Sequence, residues 1–150
     1  MKKITTLLFV LILAFSIFAI PVSANGMPEV SVISSRIIYL NNGSYIIETI
    51  RVSEPTRSTV SGTKEIAYNT SSGTAWVYRV HGTFFYNGST SYATAASASY
   101  TIYQSGWTCT SSSSGYSGAT AYANGIFRSP TISNYSAGPK LTCSVNGSLS

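Results

Sequence analysis

From Ala75 to Tyr86 the side chains alternate in character, and that alternation commits this part of the chain to β-structure. Trp76, Tyr78, Val80, Phe84 and Tyr86 fall on one face of an extended strand. Val77, Arg79, His81, Thr83 and Phe85 fall on the other. Successive side chains of a strand point to opposite faces, so the first set is assigned to a core. Gly82 interrupts that set with no side chain to pack and marks a bend or bulge. Beyond the N-terminal leader no stretch sustains a 3.6-residue period, so helices have no amphipathic face to build on.

The rest of the chain repeats this pattern in shorter runs punctuated by Asn, Gly, Ser and Pro. Arg36–Leu40 and Tyr45–Val52 flank Asn41-Asn42-Gly43, a hairpin signal in which the turn residues take positive φ. Strands are expected at Thr63–Asn69, Ala75–Tyr86, Ser91–Tyr103, Trp107–Ser112, Ala119–Phe127 and Lys140–Val145, with a short one near Thr131–Tyr135. Ser111–Gly118 reads as a loose stretch, and residues 25–35 read as a flexible lead-in. About seven to nine short strands at this spacing predict an all-β domain over 36–150: a single antiparallel β-sandwich, Ig-like or open barrel-like. Asn-Gly-Ser occurs at Asn42, Asn87 and Asn146; these read as turns rather than glycosylation acceptors.

The N-terminus addresses the chain for export. Lys2 and Lys3 precede an apolar run from Ile4 to Ile20. Pro21 then breaks it, and Val22-Ser23-Ala24 supplies small residues for cleavage after Ala24. Residues 1–24 are therefore read as a signal peptide in the style of a Gram-positive bacterium, and the released protein as secreted. No transmembrane span is expected after cleavage. Of nine basic residues, Lys2 and Lys3 leave with the leader, so seven remain against four acidic ones. The seven are scattered, whereas a nucleic-acid partner calls for a clustered basic face.

Two cysteines, Cys109 and Cys143, in an exported chain point to one structural disulfide. Cys143 shares a strand face with Leu141 and Val145, and Cys109 has the parity of Trp107, so both sulfurs are expected in the core. A loop of this length would contribute about 3.8 kcal/mol in the chain-entropy model.

The chain has few residues suited to catalytic chemistry. There is no aspartate, the acids are Glu29, Glu48, Glu54 and Glu65, and His81 is the only histidine. A hydrolytic triad would need His81 as base, yet His81 lies among the polar residues of its strand. A glycosidase would need two carboxyl groups about 5–10 Å apart, and Glu48 and Glu65 are the pair clearly on strands. One histidine and two distant cysteines make no zinc site. The chain is therefore read as a non-enzyme with no cofactor and no metal.

Two features remain. Eleven tyrosines follow the leader, and between Arg79 and Arg128 there is no charged residue. Phe85 and Tyr103, opposite the core face, are the candidate ligand-binding residues, since an aromatic ring can stack on a sugar. The expectation is a secreted module for an extracellular or cell-surface ligand, with glycan foremost. The alternative is a bacteriocin-like, membrane-active toxin, suggested by the mild positive charge and the uncharged Ser/Thr-rich segment.

Residues 60–150 also carry a likeness. Ser61-Gly62-Thr63-Lys64, the run from Asn69 to Trp76, Val80-His81-Gly82-Thr83-Phe84, Tyr86-Asn87-Gly88-Ser89 and the closing Lys140–Ser150 together resemble a group of small secreted Firmicutes proteins with no assigned function. The shared motifs are turns and core aromatics, so the resemblance implies export and a β-fold but no activity. In that group a cysteine follows the Tyr-Asn-Gly-Ser turn where this chain has Tyr92.

Overall fold

The computed structural model describes residues 30–53, 55, 58–132 and 134–150. The expected leader, residues 1–24 with its cleavage site, lies outside them, as do residues 25–29 of the expected lead-in. Nine strands form two antiparallel sheets. β1 (Val30–Tyr39), β2 (Tyr45–Ser53), β3 (Thr59–Thr70), β4 (Gly73–Tyr86) and β5 (Ser91–Ile102) make a five-stranded meander in which each strand pairs with the next in sequence. β6 (Thr108–Ser117), β7 (Thr120–Arg128), β8 (Tyr135–Ala137) and β9 (Lys140–Thr142) make the second sheet. The meander order rules out the Greek-key crossing of an Ig-like sandwich.

β8 and β9 are one strand in two pieces. Ala137 faces Gly125 and Lys140 faces Tyr122, so both run along the same edge of β7 in one continuous register. Between them lie Gly138 and the buried Pro139, whose carbonyl accepts from the Ala123 N–H. Proline has no N–H to return, and the ladder lapses there.

The expected core face of β4 is the observed one. Trp76, Tyr78, Val80 and Phe84 are fully buried, and Tyr86 packs partly against them. Trp76 lies flat between two rings: Tyr68 of β3 at 5.3 Å and 8°, and Phe127 of β7 at 4.0 Å and 6°. Trp107 and Tyr135 close the cluster from the side. Further along, the facing residues shrink. Gly125 of β7 lies against the Tyr78 ring, and Gly82 of β4 against Ala121. A Cβ on Gly82 would stand 2.7 Å from the Phe84 ring and 2.9 Å from Ala121 Cβ, so Gly82 is a point of close sheet approach. The irregularity expected at Gly82 sits one step on, between Thr83 and Phe84, where Thr94 bulges from β5.

Several sequence expectations need correction. β1 begins at Val30, so residues 30–35 are strand and not lead-in. Ser111–Ser117 also belong to a strand, β6, whose residues are nearly all exposed. It therefore lacks the alternation that betrays a half-buried strand, and its backbone bonds to β7 define it. In the Asn-Gly turns only the glycines take positive φ. Gly43 N–H donates to Leu40 and Leu40 N–H to Ser44, a type I turn closed by a left-handed glycine; Ser144–Ser148 repeats it around Gly147.

The disulfide between Cys109 and Cys143 does not form; both are free thiols. Cys109 pairs with Phe127 from the β6 side, whereas the Cys143 N–H donates to Ala119 on the other edge of β7. The two therefore sit at opposite ends of β7, on the order of 25 Å apart at about 3.3 Å per residue. Bridging requires Cα atoms within about 7 Å. Strand parity put Cys143 in the core correctly, but parity carries no information on position along the neighbouring strand. Burial pushes both thiols above the ordinary range, which keeps them protonated and unreactive at neutral pH.

Two outcomes follow. Thiol titration of the unfolded protein should count two free cysteines, and a reductant should leave the melting temperature unchanged; a mass 2 Da lower before reduction, an estimate of about that size for a lost hydrogen pair, would contradict this. Gly82→Ala should lower stability by about 1–3 kcal/mol in urea denaturation, because the new methyl is forced between Phe84 and Ala121.

Candidate functional site

The outer face of the five-stranded sheet, turned away from the second sheet, gathers the polar side chains of β2 to β5 into rows. Arg51, Thr63, His81 and Ser97 lie opposite one another in successive strands, and Thr49, Glu65, Arg79 and Ser99 form the next row. Register produces these rows from residues far apart in sequence.

Hydrogen bonds lock them. His81 Nδ1 lies 2.8 Å from Thr63 Oγ1, and Nε2 lies 2.9 Å from Ser99 Oγ. Either neutral tautomer is satisfied, since each hydroxyl can donate or accept. Glu65 Oε2 accepts from Arg79 Nε at 2.7 Å and lies 3.5 Å from Arg51 Nη1. Arg79 Nη1 donates to Thr101 Oγ1 at 3.2 Å.

Two of the hollows among the described residues open on this face. One, of about 280 Å³, lies over the paired glycines Gly62 and Gly82, with Ser61, Thr83, His81 and Ser97 around it. The other, of about 640 Å³, has Ala67 and Val77 as an apolar floor, Arg51, Arg79 and Glu65 on one side and Tyr103 on the other.

The candidate ligand residues both lie on this face but at opposite ends. Phe85 packs its ring 5.1 Å from that of Tyr92, which is 48% exposed. Tyr103, 59% exposed, bonds through its N–H to the Ala75 carbonyl, about 30 Å away at ~3.3 Å per residue of β4. The structure thus brings each to the polar rows but not to the other. Tyr92 was not among the expected ligand residues, although its place opposite Phe85 across the Asn87-Gly88 turn was there to read. The Glu65–Arg79–Arg51 cluster also went unnoticed, because it needs the register of three strands.

The catalytic alternatives meet specific obstacles here. Ser99 and His81 stand at the distance of a nucleophile and its base, but the far imidazole nitrogen meets the Thr63 hydroxyl instead of a carboxylate. Glu65, the nearest acid along β3, is engaged by two arginines. Glu48 and Glu65 project from opposite faces of the sheet: Glu48 pairs with Ile66 on the inner side and accepts from Arg36 Nε at 2.7 Å. They cannot flank one glycosidic bond. Among the described residues no three metal-ligating side chains converge.

With this geometry the chain is an all-β protein of two packed antiparallel sheets carrying a polar outer face. No protein-family model matches it, and no curated protein or solved structure is significantly similar to it.

Burial lowers His81 below the usual histidine range, and Arg79 adds to the shift. The folded protein thus resists protonation more than the unfolded chain. Stability from this group is complete above pH 6.5, the ordinary histidine value, and is lost as the pH falls through the lower folded-state value. The melting temperature should therefore fall between pH 7 and pH 5. His81→Gln should flatten that slope, and an unchanged slope in the variant would remove His81 as its source.

Proposed function

We propose that this chain is an exported, non-catalytic β-sandwich module that binds polysaccharide along the outer face of its five-stranded sheet. The observation that carries the reading is a row of hydroxyl and imidazole groups lying between aromatic rings, the exposed Tyr92 on the half-buried Phe85 at one end and the exposed Tyr103 at the other. A sugar presents an apolar C–H face and a rim of hydroxyls. A tyrosine ring offers the complementary apolar plate, and a floor of Ser, Thr and His offers donors and acceptors. The rings spend none of their burial on the core, so their exposure does not serve packing. The leader, with its apolar run and small-residue cleavage site, supports export to where polysaccharides are found.

The membrane-active alternative draws on one observation of its own. Among the described residues no strand pairs with the outer edge of β1, where Val30, Val32, Ile33, Ile37 and Tyr39 are all exposed. Dye release from anionic liposomes at micromolar protein would favour that reading, and intact liposomes would remove it.

The direct test is retention of the purified protein on a panel of insoluble polysaccharides and on a glycan array. Tyr103→Ala should weaken retention about fivefold, the loss of roughly 1 kcal/mol of ring contact, without altering the melting temperature. Absence of retention on every glycan, or retention indifferent to both Tyr103→Ala and Phe85→Ala, would overturn the proposal.

A further inference from the structure

The outer face carries an imbalance of charge that names the class of glycan. We infer that the hollow between Arg51, Arg79 and Tyr103 binds an acidic sugar residue, with its anionic group on the two guanidinium groups and its ring against Tyr103. This rests on the polysaccharide reading above and specifies its ligand.

The starting point is one carboxylate shared by two cations. Arg79 and Arg51 both reach the same oxygen, Glu65 Oε2, at 2.7 and 3.5 Å. One negative charge cannot neutralise two guanidinium groups, and among the described residues no other acid faces them. Glu48, the only other carboxylate side chain described, projects from the inner face and is engaged by Arg36. Nor is the surplus charge far out in solvent, where screening would dilute it. The side chains of Arg51 and Arg79 are 40% and 24% exposed, and that of Glu65 is 14% exposed. Partly buried charges interact more strongly than fully solvated ones.

Donor geometry agrees. Arg79 uses Nε on Glu65 and Nη1 on Thr101, which fixes the plane of its guanidinium. Arg51 meets Glu65 only at the longer 3.5 Å, so its fork is the less committed of the two. A fixed planar donor beside a second, adjustable one suits an oxyanion with two or three oxygens.

The remaining wall argues for a sugar over a bare inorganic ion. Ala67 and Val77 form an apolar floor, and the exposed Tyr103 ring bounds the hollow. An inorganic anion would have no use for these surfaces. A uronic acid would cover them with its C–H face while its carboxylate met the arginines, and a sugar phosphate polymer would offer the same pairing of ring and anion.

The experiment compares retention, at 50 mM and 500 mM NaCl, on a uronate polymer (polygalacturonate), a phosphodiester glycan (wall teichoic acid) and neutral cellulose and chitin. At low salt at least one acidic polymer should be retained about tenfold more tightly than the neutral ones, and the preference should vanish at high salt. Arg79→Gln should lose about tenfold on the acidic polymer. Arg51→Gln, on the more exposed side chain, serves the same purpose should Arg79→Gln fail to fold. Glu65→Gln distinguishes this proposal from general surface charge: it removes the competing carboxylate and should tighten acidic binding about threefold or more. Neutral glycans retained as well as acidic ones, or Glu65→Gln binding more weakly while melting normally, would overturn this inference and leave the polysaccharide reading standing. No retention on any polymer would overturn both.

Discussion

At the centre of the packing between the two sheets lies one indole. Among the described residues Trp76 is the only ring stacked flat on partners of both sheets, Tyr68 on its own and Phe127 opposite, and the buried aromatic cluster is built outward from it. Its Nε1–H finds no acceptor among the described residues. Leaving a buried donor unpaired costs about 1–3 kcal/mol, so the contact area and stacking of the large ring must outweigh that cost. Much of the remaining interior is alanine and glycine, and a core so composed depends on its few large side chains more than an Ile- and Leu-rich one would.

The outer face inherits its form from this interior. Gly82 meets Ala121, and Gly62 leaves room for the side chains of Leu149 and Leu141, so the chain opposite approaches closely at this pair of glycines. The hollow on the opposite surface lies over that same pair of glycines. Beyond it, the alternation that sends Trp76, Tyr78 and Val80 inward must send Val77, Arg79 and His81 outward. The polar rows are thus the other side of the core pattern, which is why core and candidate site share strands β3 and β4.

How far the sequence could be read depended on what each feature requires. β4 was legible face by face, because alternation is a local property and both of its faces have a character. Phe85, Tyr103 and His81 could be placed on the outer face for the same reason. β6 was not legible as far as Ser117, because a strand of Ser, Thr and Gly with nearly every residue exposed has no hydrophobic period to detect. The start of β1 was hidden likewise: Val30 to Ser35 is exposed throughout and held by pairing with β2. The cysteines and the Glu65–Arg79–Arg51 cluster show a second limit. Parity says which way a side chain points, while register says what it meets, and register was set here by bulges and turns spread over several strands.

The meander has a consequence for the order in which the molecule completes itself. Strands β2 to β5 each pair with the strand made just before, so a chain emerging N-terminus first can zip this sheet progressively, closing only short loops. Phe127 and Leu141, which cover Trp76 and Gly62, come much later in the chain. Until they arrive, the inner faces of Tyr68, Trp76, Tyr78 and Val80 stand open to water on an already hydrogen-bonded sheet. A chain that zips in this order has its backbone largely paired while its greasiest surface is still bare. For that interval its solubility rests on the last quarter of the sequence being delivered promptly.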